Sequence, residues 1–238
     1  MAATLRIAAA GDVHCAEPLR DRVTREFAAL EGDADVVLLA GDLTTHGDPG
    51  EAAVLADACR DLSAPVFAVL GNHDYHADRC DEVVATLADA GVRVLQREAV
   101  VVELNGVDLG VVGTKGFVGG FPGAEIPDFG ESLLREVYRE TSREVEALEA
   151  GLEEIAGCHR RVVLLHYAPV PETLVGEPEV IWAFLGSGRL AAPIGAHRPD
   201  LVVHGHAHRG SFTGAIGDVP VRNVAVHVTG EAFARFEL

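Results

Sequence analysis

Three apolar runs mark the first third of the chain: Leu5 to Gly11, Asp35 to Gly41 and Pro65 to Gly71. Each is nearly unbroken, without the alternation expected of a strand that has one wet face. Such runs predict strands buried on both faces, as in a mostly parallel sheet covered by helices. The intervening stretches supply those helices, predicted over Pro18 to Leu30, Pro49 to Leu62 and Asp78 to Ala90. The chain therefore opens as an α/β protein.

The pattern then changes. Between Arg97 and Gly113 two strand-like segments flank Asn105-Gly106, a pair suited to a two-residue primed hairpin turn. The glycine-rich stretch Gly113 to Gly123 is too permissive in composition for regular structure. A long helix is predicted from Phe129 to Ala156. Along it Leu134, Val137, Thr141, Val145, Leu148, Leu152 and Ile155 recur every three or four positions and form one packed stripe. The charged positions are expected to face water, with Glu131 and Arg135 spaced for a helical ion pair, and Gly157 ends the helix. Buried strands return at Arg161 to His166 and Leu201 to His204, followed by short strands near Phe212, Pro220 to Val224 and Phe233 to Leu238. Residues 169–199 carry a helical signal around Val180 to Leu190. With no repeat, linker or low-complexity tail, residues 1–238 are expected to form a single domain.

Composition narrows the function. Hydrophobic residues make up 48% of the 238, enough for a substantial core. Lys+Arg 19 against Asp+Glu 37 gives a formal charge of -18, which argues against a nucleic-acid surface binder. It does not argue against a small phosphorylated ligand, because bound cations reverse the sign locally. Cys15, Cys59, Cys80 and Cys158 include no CxxC pair, so neither a zinc knuckle nor a redox dithiol is indicated, and a reducing compartment fits. Polar chemistry begins at Gly11-Asp12, too early for a secretory leader, and no apolar run is long enough to span a bilayer. The expected setting is cytoplasmic, away from membranes. Nothing in the chain indicates an oligomeric state.

The chemistry sits where the apolar runs stop. The first ends in Gly11-Asp12-Val13-His14, the second in Gly41-Asp42 and the third in Gly71-Asn72-His73-Asp74. The later strands end in His166 and in Gly205-His206-Ala207-His208. Ligands of open α/β sheets collect beyond the carboxyl ends of the strands, so these five segments can converge on one crevice. Their side chains offer oxygen and nitrogen donors without sulfur, a set that suits Mn, Fe or Zn and is also compatible with Ni or Co. Asp12 and His14 are two residues apart and point to one side of an extended backbone, as do His206 and His208.

In order and in type, the set D-x-H, G-D, G-N-H-D, H and G-H-x-H resembles the calcineurin-like metallophosphoesterase family, with motifs spanning Asp12 to His208. The resemblance implies a four-layer α/β sandwich of two mixed β-sheets flanked by α-helices. It implies two divalent metal ions, one held by Asp12, His14, Asp42 and His208, the other by Asp42, Asn72, His166 and His206, with Asp42 bridging. It also implies that His73 is a non-ligand histidine that contacts the phosphoryl oxygen and protonates the leaving group, with Asp74 orienting it or tuning it through a hydrogen bond. A metal-bridging hydroxide would then hydrolyse a small phosphodiester or phosphomonoester. A phosphoprotein phosphatase and a non-catalytic metal-binding scaffold are the alternative readings, and a nuclease would need a basic track that the charge balance disfavours.

Other positions are read more simply. Lys115, the only lysine, and Tyr167 are candidates for substrate contact, and His46, Tyr75 and His76 for shaping the pocket. Trp182 and Phe184 are read as core or pocket wall, His204 as strand support, and His159, His197 and His227 as structural or exposed. Ala207 stands where many family members carry a hydroxyl, so one supporting hydrogen bond is expected to be missing. Cys15, beside the D-x-H segment, is expected to be sensitive to oxidation. The short 169–199 segment implies an open site.

Overall fold

The first two strands pair in parallel with every side chain from Ile7 to Ala10 and from Val36 to Ala40 buried, as their unbroken apolarity demands. In the computed structural model, which describes residues 4–238, these are β1 (Arg6–Ala10) and β2 (Val36–Ala40). Helix α1 (Arg20–Ala28) joins them, and α2 (Pro49–Cys59) leads from β2 to β3 (Val66–Val69). Helix α3 (Cys80–Ala88) follows, then β4 (Val92–Val94), a three-residue strand that the hydrophobic pattern did not reveal.

The hairpin forms as expected. β5 (Glu98–Leu104) and β6 (Val107–Gly113) are antiparallel, and Asn105 and Gly106 both adopt positive φ, at 55° and 78°. The long helix α4 (Ser132–Glu154) precedes β7 (Arg160–Leu164). Its apolar stripe is only partly realised: Thr141, Leu148 and Leu152 are buried, whereas Leu134 is exposed. Two charge expectations also change. Glu144 lies on the buried face, and Arg135 pairs with Asp128 at 3.6 Å instead of Glu131.

The helical signal after Val180 resolves into short pieces, a 3-10 turn at Glu179–Ile181, α5 (Trp182–Leu185) and α6 (Ala191–His197). The chain finishes with β8 (Leu201–His204), β9 (Thr213–Ile216), β10 (Val219–Asn223), α7 (Val226–Thr229) and β11 (Ala234–Glu237).

Two mixed sheets result, ordered β11-β1-β2-β3-β4 and β5-β6-β7-β8-β10-β9. Strand alternation sorts the apolar side chains into three layers of core. Ala8, Val37, Leu39 and Ala68 face α1, α2 and α3. Ile7, Leu38, Phe67, Leu109, Val162 and Val203 meet between the sheets. Val112, Val163 and Val202 pack with Leu148, Leu152 and Ile194 under α4 and α6. Helices thus flank a pair of sheets in four layers.

Register delivers the polar ends together. Ala10 lies beside Leu39, Ala40 beside Val69, and Leu164 beside Val203, so the strands stop at nearly the same level. The residues that follow them emerge at one edge of the sandwich.

Candidate metal centre

The chain turns sharply at that edge. Asp12, His14, Asp42 and His206 have φ of 59°, 43°, 50° and 70°, a left-handed conformation that non-glycine residues rarely adopt. Strained backbone of this kind persists where surrounding contacts hold it, and here it swings four donors into one space. Two glycines make the space. A Cβ on Gly71 would lie 2.2 Å from Asp42 Oδ1, and one on Gly205 would lie 2.4 Å from Asp12 Oδ2.

The donors form two groups. Asp12, His14, Asp42 and His208 each offer an atom within 4.8 Å of the others, and Asp42, His166 and His206 do the same. Asp42 belongs to both. Asn72 joins the second group, with its Oδ1 3.0 Å from His166 Nε2. All seven expected donors are therefore brought together.

Neighbouring carbonyls fix which ring nitrogen faces inward. His166 Nδ1 lies 2.9 Å from the carbonyl of Ala40, so that nitrogen donates and Nε2 turns to Asp42 Oδ1 at 3.4 Å. His206 spends Nε2 on the carbonyl of Phe184 at 3.2 Å, leaving Nδ1 free. Burial pushes His14 down to about 4 and both His166 and His206 down to about 3, so these rings are neutral and keep a lone pair at pH 7. His208 moves the other way, raised by its contact with Asp12 Oδ1 at 3.0 Å.

The two carboxylates lack ordinary counter-charges. Asp12 and Asp42 are buried, and among the described residues only histidines pair with them. Burial, with a smaller contribution from Asp42, pushes Asp12 up to about 6. Buried carboxylates beside imidazoles with lone pairs to give, as at His14, His166 and His206, fit divalent cations, which would neutralise the one and take the lone pairs of the other. The donor set therefore fits the expected metals.

His73 and Asp74 sit on the same loop, a 3-10 turn at His73–Tyr75. The His73 amide donates to Asp42 Oδ1 at 2.8 Å, its Nδ1 donates to the Thr45 carbonyl at 2.8 Å, and its Nε2 lies 3.9 Å from Asp42 Oδ2. Asp74 does not act on that ring by a hydrogen bond. Its buried carboxylate accepts from Leu43 N at 3.2 Å, Thr44 N at 2.8 Å, Thr44 Oγ1 at 2.7 Å and Gly71 N at 2.8 Å. The bond expected toward His73 instead ties the Asp42 loop to the Asn72 loop, because the turn points Asp74 inward at unpaired amides.

The remaining candidates separate. Tyr167 is buried with its ring 4.5 Å from that of His206 and 5.3 Å from that of His166. His76 lies 4.4 Å from the His73 ring, whereas His46 turns outward to Glu51 at 2.8 Å. Trp182 packs against the small apolar cluster that includes Leu174, Leu185 and Ala207, and Phe184 contributes its carbonyl while its side chain is exposed. His204 is buried and bonded to Thr173 Oγ1 at 2.8 Å, which suits strand support. Lys115 and Tyr75 line a cavity of about 500 Å³ that reaches the centre at Asn72 and Tyr167.

A further sequence expectation requires correction. Cys15 is fully buried, and burial pushes its thiol up to about 12, so proximity to His14 does not make it reactive. His227 is exposed, as expected, and its ring stacks on that of His208 at 4.3 Å and 9°. Sequence reasoning also missed Asn223, whose Nδ2 donates to the Ala207 carbonyl at 2.8 Å and holds the Gly205–His208 turn without a hydroxyl at 207. An asparagine closing an apolar strand was the available signal.

Several solved structures share this fold. Phosphopantetheinyl hydrolase from Mycobacterium tuberculosis is 18% identical, with a TM-score of 0.69 over 93% of this chain and 89% of its own. A protein from Thermus thermophilus is 20% identical, with a TM-score of 0.58 over 99% of both chains. GAP50, the anchor in the inner membrane complex of Plasmodium, is 11% identical, with a TM-score of 0.62 over 94% of this chain and 72% of its own. These likenesses concern the fold alone. No curated protein sequence matches the chain. The calcineurin-like phosphoesterase family model matches residues 5–210, a span that includes every donor from Asp12 to His208, and the chain belongs to that family.

Proposed function

We propose that this protein is a dinuclear metal-dependent phosphoesterase that hydrolyses a small phosphodiester or phosphomonoester. The observation that carries the reading is the pair of donor groups sharing Asp42. Asp12, His14, Asp42 and His208 would hold one ion, and Asp42, Asn72, His166 and His206 would hold the other. Mn, Fe and Zn match these oxygen and nitrogen donors. Bound there, such a pair supplies Lewis acidity and lowers the pKa of coordinated water.

The chain's own residues do the rest. His73 is anchored through Nδ1 to the Thr45 carbonyl, so a protonated ring directs its Nε2 proton toward the phosphoryl oxygen and the departing alkoxide. Asp74 acts as a positioning residue by fixing the loops that carry Asp42 and Asn72. A single domain over residues 1–238 is supported by the core shared between the sheets. Four free cysteines support a reducing, cytoplasmic setting, and the acidic charge supports a substrate other than nucleic acid. No helix among the described residues is long and apolar enough to cross a membrane.

The test is hydrolysis of p-nitrophenyl phosphate and bis-p-nitrophenyl phosphate by metal-stripped protein titrated with Mn, beside Asp42→Asn. Turnover restored by Mn and lost in the variant supports the reading, and the ratio of the two rates separates monoesterase from diesterase. Metal binding without turnover of either substrate counts against catalysis and favours a metal-binding scaffold. Equal activity in stripped and Mn-loaded protein rejects the dinuclear assignment.

A further inference from the structure

The cavity of about 500 Å³ beside Asn72 has a largely apolar wall and two cations on it, Arg97 and Lys115. Lys115 is the one without a carboxylate partner among the described residues. Its Nζ lies 4.2 Å from the Phe117 ring centroid, 5.1 Å from that of Tyr167 and 5.5 Å from that of Tyr75. An ammonium has three donors, and this one reaches only the Gly116 carbonyl, at 3.3 Å. No carboxylate among the described residues forms an ion pair with it, although Glu140 and Glu144 line the same cavity. Both of those acids are engaged by Arg97.

The lysine is held in place from several sides. Glu144, buried on α4, accepts from Thr114 Oγ1 and, at 2.9 Å, from Gly116 N, so the residues on either side of Lys115 are pinned. The Lys115 carbonyl accepts from His166 N at 3.1 Å and Tyr167 N at 3.0 Å, which couples the same residue to the metal centre. Burial lowers the Lys115 pKa, with Glu144 and Glu140 opposing that shift through space, and the three rings add a weaker attraction for the ammonium. An anion from outside the chain would complete the compensation.

We propose that this cavity receives the alcohol portion of the substrate and selects a ring-sized, mainly apolar group that bears a second anion, carboxylate or phosphate, paired with Lys115. Only the identity of the entering portion rests on the phosphoesterase reading; the anion preference does not.

The test is calorimetric binding of three inert phosphonates to the Mn-loaded full chain: benzylphosphonate, 4-(phosphonomethyl)benzoate and p-xylylenediphosphonate. The two compounds with a second anion are expected to bind about tenfold tighter than benzylphosphonate. Lys115→Met should erase that advantage and Lys115→Arg should keep most of it, while the carboxylate and phosphonate arms distinguish the source of the anion. Equal affinity for all three in the wild type, or an undiminished advantage in Lys115→Met, overturns the proposal.

A second readout needs no variant. Because Lys115 is the only lysine, trinitrobenzenesulfonate labelling can be read by mass spectrometry at that peptide. Stronger protection by p-xylylenediphosphonate than by benzylphosphonate supports the pairing, and equal labelling rejects it. Hydrolysis is scored separately. If the loaded wild type turns over no aryl phosphate yet keeps the anion preference, the phosphoesterase reading falls and the pocket assignment stands. Turnover without the preference has the reverse meaning.

Discussion

At the scale of single residues, the centre depends on backbone that other chemistry would avoid. A side chain on Gly71 has no room, since its Cβ would sit 2.2 Å from both Asp42 N and Asp42 Oδ1. Gly71→Ala should therefore displace the carboxylate common to both donor groups and lower Mn stoichiometry; two ions bound per chain, measured by mass spectrometry of the native protein, would contradict this. Asp74→Ala leaves the amides of Leu43, Thr44 and Gly71 without their acceptor. The expected cost is about 2–5 kcal/mol, read as a lower urea midpoint of the metal-free protein. An unchanged midpoint would remove Asp74 from its bracing role. Five of the seven donors were legible because each follows a glycine or closes an apolar run, and His14 and His208 because each stands two residues after such a donor. The role of Asp74 was not, since sequence adjacency to His73 says nothing about where a turn aims the next side chain. The stack of His227 on His208 was hidden for a related reason: Gly11 bonds to Val224 and Val226, and that pairing carries a distant histidine to the cleft.

At the scale of elements, α4 illustrates what periodicity can and cannot reveal. Its repeat located the helix, and the same repeat overstated how much of it is covered. Leu148 is fully buried, whereas Leu134 of the same stripe is 48% exposed and Leu133, outside it, is 74% exposed. Leu148→Ala should cost about 2–5 kcal/mol, and Leu133→Ser should change stability by less than about 0.5 kcal/mol, both from chemical denaturation. Similar losses in the two variants would contradict the observed packing of α4. The charge on the covered face was visible in retrospect, because Glu144 falls three positions after Thr141 and four before Leu148. Its partners were not, since Arg97, Thr114 and Gly116 come from another part of the chain. Strand β4 was missed because three residues give too short a pattern, and its pairing with β3 supplies the missing definition.

At the scale of the molecule, the two sheets and their helices followed from strand character and family resemblance together; composition alone placed only the first sheet. The donors are drawn from both sheets, so metal binding should stabilise the docked pair. At a free Mn concentration 100 times the dissociation constant the gain is about 2.7 kcal/mol per site. Thermal melts should therefore rise with Mn and fall with chelator, and Asp42→Asn should abolish the difference; coincident melts of the wild type with and without Mn would refute it. Thiol chemistry reports on the same packing. Cys15 and Cys59 are buried and Cys80 and Cys158 are partly exposed, so a neutral alkylating reagent should modify the latter pair first. Burial pushes Cys59 from 9.0 up to about 12, so the unfolded thiol loses its proton before the folded one. Stability from this group is complete below pH 9 and declines as pH rises toward 12. Urea midpoints of Cys59→Ala and wild type should converge in that window, and a constant gap would count against it.

The division of donors between the sheets also bears on how the protein is made. Asp12 and His208, which touch in the folded chain, are 196 residues apart in sequence. Each proposed metal position needs donors from before residue 75 and from after residue 165. A nascent chain stalled on the ribosome, or a fragment released by a protease between those points, would hold an incomplete set at both positions. The proposed centre can therefore be completed only after nearly the whole polypeptide has emerged and its two halves have closed on each other.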